Sequence, residues 1–325
     1  MKSIERRTFF RAGSAVAAAA TLGVAPLGQA FAEAAKVGRQ NAGFYRLKLG
    51  STEVTVISDG TIAFPPSLWT APVAEVDAAL AAEVRSTEEV VFQLNTMLIN
   101  TGNKLVLIDT GTGGKLQDAS GALLGSLAAA GYRPEQVDMV LFTHLHPDHL
   151  WGVSDKATGR LLFPNASYVV TETELKFWSN TTLPSQVPAA LRPMVETTQQ
   201  HLKLIASRLS PIKAGSEVVP GITSLDTPGH TPGHMSFHVA SGNDALLIAG
   251  DVVANETLSF RRPEWGYGFD VDAAQAAKTR VAFLDRCVAD KTLIASYHLP
   301  FPAVGHVVRD GAAYRWLPAE WRWTA

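Results

Sequence analysis

The sequence predicts an α/β protein built in four layers, an αββα sandwich, and three observations predict it. The chain has 325 residues, 46% apolar and 18% charged, which is an ordinary globular composition with enough apolar material for one large core. Strand-like and helix-like segments arrive in two successive blocks, strands first and helices after. Four apolar strands also end at their C-terminal edge in a metal-type side chain: Leu107-Ile108-Asp109, Phe142-Thr143-His144, Ala249-Gly250-Asp251 and Ser296-Tyr297-His298. Buried strands that end this way deliver those side chains to one rim, where a rigid scaffold usually holds its chemistry.

Taken in order, short apolar runs place strands at 44–49, 54–57, 90–99 and 104–108. A helical pattern follows at 116–130, then strands at 139–143 and 168–170, and helices around 172–178 and 189–208. The second block has strands at 222–225, 235–239 and 245–249, a helix at 273–289 and a strand at 292–296. Within that last helix Val281, Leu284 and Val288 recur at helical spacing around Cys287, the only cysteine, so core packing is its expected role. A single thiol makes neither an internal disulfide nor a Cys-rich metal cage. No linker, repeat or later membrane-length stretch divides residues 33–325, which are read as one domain.

Residues 1–32 are set apart. Lys2, Arg6, Arg7 and Arg11 precede an Ala-rich apolar stretch ending near Leu27, and Ala30-Phe31-Ala32 offers small residues for cleavage. This is the pattern of an export signal. The adjacent Arg6 and Arg7 resemble the twin-arginine type, which implies a periplasmic or secreted product. An uncleaved anchor is the competing reading, disfavoured by the short span and Pro26. With 28 basic against 30 acidic residues and no run of like charge, a primary nucleic-acid binder is disfavoured, and no membrane contact is expected once the signal is removed. The expected partner is a small-molecule substrate, and a homodimer is compatible with the sequence.

The densest chemistry is His144-Leu145-His146-Pro147-Asp148-His149. A residue before proline is pushed out of the helical region, so residues 144–146 should be extended. Alternate residues of an extended chain face the same way, which lets His144 and His146 grip one ion. Pro147 suits the first position of a helix, whose opening turn sends Asp148 and His149 elsewhere, toward a second ion. Imidazoles with a carboxylate favour zinc, with iron or manganese as alternatives.

This motif, followed by Gly229-His230-Thr231-Pro232-Gly233-His234, then Gly250-Asp251 and Tyr297-His298, resembles the metallo-β-lactamase-fold hydrolases. Ser58-Asp59-Gly60-Thr61, Leu162-Phe163-Pro164-Asn165-Ala166 and His298-Leu299-Pro300-Phe301-Pro302 are similar to the exported methyl parathion hydrolase and lactonase-like branch. The resemblance implies one ion held by His144, His146 and His230, another by Asp148, His149 and His298, and Asp251 bridging them. Spacing alone does not choose between His230 and His234. The alternation of His234, Ser236 and His238 with apolar neighbours suits the polar face of a strand or a place behind the ligands. His201, on a helix, reads as solvated. Asp109, in the position of the superfamily's Asp-Thr-Gly turn, is expected to orient a ligand imidazole through its free N–H.

Two divalent ions sharing a water would lower its pKa to about 7 and polarise the electrophile, giving a hydroxide nucleophile without serine or cysteine. Asp148, beside that nucleophile, is the expected proton acceptor and donor. Some lactonases of the fold carry a tyrosine three residues after the bridging aspartate. Here that residue is Ala254, which leaves a metal-bound water or Tyr297 as substitutes. Phe177, Trp178, Trp151 and Phe260 are expected to wall the substrate pocket, with Trp69 and Trp265 as further apolar surface; such a pocket favours small apolar esters, lactones or phosphotriesters. Arg261 or Arg262 is a candidate to meet a product carboxylate.

Other chemistries fit less well. Gly111-Thr112-Gly113-Gly114-Lys115 lacks phosphate-loop spacing, and Leu116 replaces the required hydroxyl. A Gly-x-Ser-x-Gly nucleophile elbow is absent. The rivals on the same fold are a glyoxalase II-like thioesterase, a β-lactamase and a redox diiron enzyme, the last normally joined to a flavin domain. A non-catalytic metal-binding protein is the alternative of a different class.

Overall fold

A computed structural model describes residue 36 and residues 43–323. The export signal expected over residues 1–32 lies outside them. The described residues from Gly43 onward belong to one compact unit. Its first sheet holds seven strands in chain order: β1 (Phe44–Leu49), β2 (Thr52–Phe64), β3 (Val90–Asn100), β4 (Leu105–Ile108), β5 (Met139–Leu141), β6 (Ser167–Thr171) and β7 (Leu209–Ile212). Neighbours are antiparallel up to β4 and parallel from β4 to β7. The second sheet holds β8 (Glu217–Val219), β9 (Ile222–Asp226), β10 (Met235–Ser241), β11 (Asp244–Ile248), β12 (Leu293–Ala295), β13 (Val304–Asp310) and β14 (Ala313–Pro318). Only the β11–β12 pair is parallel there. The helices are α1 (Val73–Ala82), α2 (Leu123–Ala129), α3 (Pro147–Leu150), α4 (Glu172–Trp178), α5 (Leu183–Gln186), α6 (Arg192–Ile205), α7 (Leu258–Arg261) and α8 (Ala273–Asp290).

Strand alternation explains the layering. Val106 and Ile108 of β4 face the second sheet and pack with Met97, Ile99, Phe237, Leu246 and Ile248. Leu105 and Leu107 point the other way, into a cluster with Leu123 and Leu127 of α2 and Leu202 and Ile205 of α6. In β11, Leu247 likewise turns outward onto Phe283, Leu284 and Cys287 of α8. Central strands are thus buried on both faces, which is why their sequences read as unbroken apolar runs. The four-layer αββα sandwich forms as the sequence predicts. Among the described residues no helix is long and apolar enough to cross a membrane.

Two local expectations are corrected, and further elements are added. The helix expected at 116–130 begins only at Leu123, because the buried Asp59 carboxylate accepts from the backbone of both Thr112 (2.8 Å) and Leu123 (2.9 Å) and holds the intervening loop off a helical path. Strand β2 does not stop at residue 57 but continues to Phe64, through a register shift between Ser58 and Gly60. Helix α1 and the β13–β14 hairpin were not anticipated. α1 buries only Val76 and Leu80, too few anchors in an Ala-rich run to produce a clear period.

The fold positions the site through its parallel pairs. β4 and β5 run the same way, so Asp109 and His144 emerge beyond the same edge of the first sheet. β11 and β12 do the same for Asp251 and His298 in the second.

Candidate metal centre

His146 is extended (φ −66°, ψ 160°) and caps α3, with Pro147 at the first helical position. His144 and His146 therefore leave an extended segment, whereas Asp148 and His149 leave the first turn of a helix. The loop between β9 and β10 contributes His230. The result is three groups whose candidate ligand atoms each lie within 4.8 Å of one another: His144, His146 and His230; His144, His149 and Asp251; Asp148, His149 and His298. All seven residues are buried.

The atoms converge in detail. His146 Nδ1 lies 2.9 Å from His144 Nε2 and 2.8 Å from His230 Nε2. Asp251 Oδ2 lies 3.0 Å from His298 Nε2 and 3.3 Å from His230 Nε2, and its Oδ1 lies 3.3 Å from His149 Nε2. Asp148 Oδ2 is 3.5 Å from both His149 Nε2 and His298 Nε2. Asp251 thus touches both histidine sets.

Four of the five imidazoles, those of His144, His149, His230 and His298, are held from behind, so in these the nitrogen facing the centre is the one without a proton. His149 Nδ1 donates to Asp109 Oδ2 (2.8 Å) and His298 Nδ1 donates to the Gln93 carbonyl (2.8 Å). His230 Nδ1 donates to Asp270 Oδ1 (2.8 Å). Thr143 donates its hydroxyl to Asp109 Oδ2 (2.8 Å) and accepts from His144 Nδ1 (3.1 Å), so Asp109 reaches His144 through it. Asp109 adopts φ +62°, the left-handed region that costs a non-glycine residue about 1 kcal/mol. Its three bonds, to Thr143 N, Thr143 Oγ1 and His149, hold it there.

This donor set fits divalent cations. His149 Nε2 and Asp251 Oδ1 are buried without a hydrogen-bond partner among the described residues, and both are acceptors facing one another. Two such lone pairs cost free energy unless a positive charge satisfies both. Burial and the neighbouring imidazoles hold His144 and His146 well below the usual histidine range, in the neutral form that ligates. For His149, burial is outweighed by Asp251, Asp148 and Asp109, which push it well up and mark the spot as one that calls for positive charge.

A cavity of about 240 Å³ opens over the cluster, lined by His146, Asp148, His230, Asp251, Tyr267 and His298 and otherwise by apolar side chains including Phe64, Phe92 and Trp151. A family model described as the metallo-beta-lactamase superfamily matches residues 90–297. The chain belongs to the metallo-β-lactamase superfamily. The solved structure of AidC, a dizinc quorum-quenching lactonase in complex with a product, is 30% identical with a TM-score of 0.81, covering 86% of this chain and 98% of AidC. The hydrolase AbOPH, in the same superfamily, is 33% identical with a TM-score of 0.81, covering 87% of this chain and all of AbOPH. An N-acyl homoserine lactonase of Bacillus thuringiensis is 28% identical over 162 residues, 49% of this chain and 55% of that protein. The uncharacterized protein YobT of Bacillus subtilis is 27% identical over 161 residues, 49% of this chain. The matched region spans just over half to about three fifths of these curated relatives (55% and 62%).

On this metallo-β-lactamase scaffold several pocket expectations change. Trp151 lines the cavity, its indole donating to Thr198 Oγ1 (3.1 Å). Trp178 and Phe177 instead line an adjoining cleft that shares His146, Met194 and Phe269 with the cavity. Phe260 is not a pocket residue: it is fully buried beneath the second sheet and packs on Trp316 of β14, centroids 6.1 Å apart. Trp69 and Trp265 are buried in a core cluster and do not line the cavity. Arg261 pairs with Glu83 and Asp310, and Arg262 with Glu75 and Glu264 while lying over Trp265, so both are engaged away from the cavity. His201 is buried rather than solvated and stacks on Trp151 at 5.9 Å. Tyr297 donates to the Asp148 carbonyl (2.6 Å) and lies against His149, which removes it as a leaving-group donor.

Sequence reasoning missed Tyr267, Asp270 and Glu174. Tyr267 points its hydroxyl at Asp251 Oδ2 (3.3 Å) and His230 Nε2 (3.5 Å). Asp270 carries no motif, but it backs His230 and lies 3.7 Å from the buried guanidinium of Arg280. Asp270→Asn keeps the shape while removing the charge that strengthens His230 as a ligand. Affinity for one of the two ions should fall roughly tenfold, measured by competition with a chelator, since changes behind a ligand typically cost 10–100-fold. Unchanged affinity would reduce Asp270 to a packing residue.

Proposed function

We propose that this chain is a hydrolase of small, neutral, largely apolar esters or lactones, working with two divalent cations, zinc first among them. His144, His146 and His230 would hold one, Asp148, His149 and His298 the other, and Asp251 both. The observation that carries the substrate class is the cavity wall: among the described residues no lysine or arginine lines it, and apart from the donor set its one polar side chain is Tyr267. A substrate carrying a carboxylate away from the reacting group, as β-lactams and glutathione thioesters do, would lose hydration against that wall without gaining a counter-charge from a lysine or arginine side chain. Neutral lactones and esters, and neutral phosphotriesters secondarily, pay no such cost. The likeness to the AidC lactonase and to the Bacillus thuringiensis lactonase supports the lactone reading.

When bound, the cation pair supplies Lewis acidity, lowering the pKa of a water to about 7 and polarising the carbonyl. The rest is the work of the protein. Asp148 lines the cavity and is positioned to take a proton and return it to the leaving oxygen. Tyr267 presents the hydroxyl that the position of Ala254 lacks, from a loop before α8 rather than after β11. Phe64, Phe92, Trp151 and Phe269 exclude water and hold the apolar part of the substrate.

The test is metal analysis followed by a substrate panel: acyl-homoserine lactones, aryl esters, a neutral phosphotriester, a glutathione thioester and a β-lactam. Two ions per chain and preferential ring opening of the lactone are expected. Turnover confined to the thioester or the β-lactam would overturn the substrate class. Bound metal with no turnover of any member would place the chain among metal-binding proteins without catalysis.

A further inference from the structure

Glu174, in the first turn of α4, is wholly buried, and its carboxylate is fully engaged by four donors from three separate segments. Oε1 accepts from the backbone N–H of Leu145 (3.0 Å), the residue between His144 and His146, and from the Trp178 indole (2.7 Å). Oε2 accepts from the hydroxyl of Thr231 (2.7 Å) and the backbone N–H of Gly233 (3.0 Å), in the loop that carries His230. Gly233 lies so close that a Cβ there would sit 2.2 Å from Glu174 N, so the loop is seated directly on the start of α4. Thr171, which caps α4 by accepting from Glu174 N (3.1 Å), also donates to the Gly233 carbonyl (2.7 Å). Trp178, held by the same carboxylate, presents its ring edge-on to His146 at 5.6 Å.

We propose that Glu174 is a positioning residue for the three-histidine set: it ties the His144–His146 segment to the His230 loop, so that the grip on that cation depends on a carboxylate that touches none of its ligands. The geometry makes the effect selective. Three of the four donors come from the two segments that supply His144, His146 and His230, or directly adjoin them. None comes from α3 or from the loop bearing His298. A carboxylate is also required rather than any polar group of its shape, because both oxygens accept two bonds. A glutamine amide has no lone pair on its nitrogen, so two of the four donors would face N–H groups and be left unpaired.

The inference rests on the proposed cation pair and is independent of the substrate. The experiment loads full-length protein and its Glu174→Gln variant with two equivalents of zinc or cobalt and follows release of each ion to a chelator, alongside the melting temperature of each. The unaltered protein should release two ions in resolvable steps. In Glu174→Gln one step should weaken by 10–100-fold, as for other groups that orient ligands from behind, while the other stays within about twofold. In the cobalt form, only the ligand-field absorption belonging to the weakened ion should change. A variant with a lower melting temperature but unaltered release of both ions, or equal loosening of both, would show Glu174 to be merely structural and overturn the proposal. If Glu174→Gln does not fold, Thr231→Val removes one of the four bonds and should weaken the same step several-fold; no selectivity there would overturn the proposal equally. Failure of the unaltered protein to bind two ions would instead count against the proposed function.

Discussion

Replacing Asp251 with asparagine should lower kcat/KM by about a thousandfold and leave no more than one tightly held ion. Its carboxylate reaches both histidine sets: Oδ2 lies 3.0 Å from His298 Nε2, 3.3 Å from His230 Nε2 and 3.9 Å from His144 Nε2, while Oδ1 lies 3.3 Å from His149 Nε2. Asparagine preserves the volume but removes the negative charge between two cations and turns one ligand oxygen into an N–H₂ donor. Lewis-acid stabilisation of a developing oxyanion is worth several kcal/mol, and each 1.36 kcal/mol is a factor of ten, which sets the thousandfold scale. The backbone beneath should hold its place, because Asp251 N donates to His234 Nε2 (3.0 Å) whatever the side chain. Circular dichroism with metal counting separates the two effects: an intact fold, two ions and full turnover in Asp251→Asn would remove this residue from the centre.

Stripping the protein with a chelator should lower its melting temperature on the order of 10 °C for each tightly bound ion, restored by added zinc. A ligand that binds only the folded state stabilises it by about 4 kcal/mol when present at a thousand times its Kd. For a domain of this size each kcal/mol is worth roughly 2–4 °C. The physical source lies in the centre without its ions. His146 Nδ1 sits within 2.9 Å of two other ring nitrogens, and His149 Nε2 faces Asp251 Oδ1 with no hydrogen-bond partner for either among the described residues. Such arrangements are tolerable around a cation and costly without one. A melting temperature indifferent to both chelator and zinc would mean that these atoms are satisfied in some other way.

Much of this was legible in the sequence, and the reasons are local. An extended His144-Leu145-His146 followed by Pro147 must send two imidazoles one way and Asp148 and His149 another, because backbone geometry sets side-chain direction over that distance. Apolar runs ending in Asp109, His144, Asp251 and His298 likewise had to bring those groups to sheet edges. His230 and His234 were different. Both follow the same Gly229, and only the path of the loop decides that His230 enters the cluster with Asp270 behind it while His234 turns beneath to accept from Asp251 N.

Phe260 shows the converse failure. It lies after Asp251, in a stretch with Trp265 and Tyr267, but its ring packs on Trp316 of a hairpin that sequence patterning had not revealed. Glu174, Asp270 and Tyr267 carried no pattern at all, because the partners that join them to the segments of the centre lie 29 to 59, 40 and 16 to 37 residues away in the chain. The sequence by itself determined the four-layer fold and the residue types gathered at its rim, since periodicity and strand ends act over a few residues. Only the tertiary structure decided which imidazole nitrogen faces the centre, which carboxylate stands behind it and which aromatic rings meet the cavity, because those contacts join segments whose proximity depends on how whole layers pack.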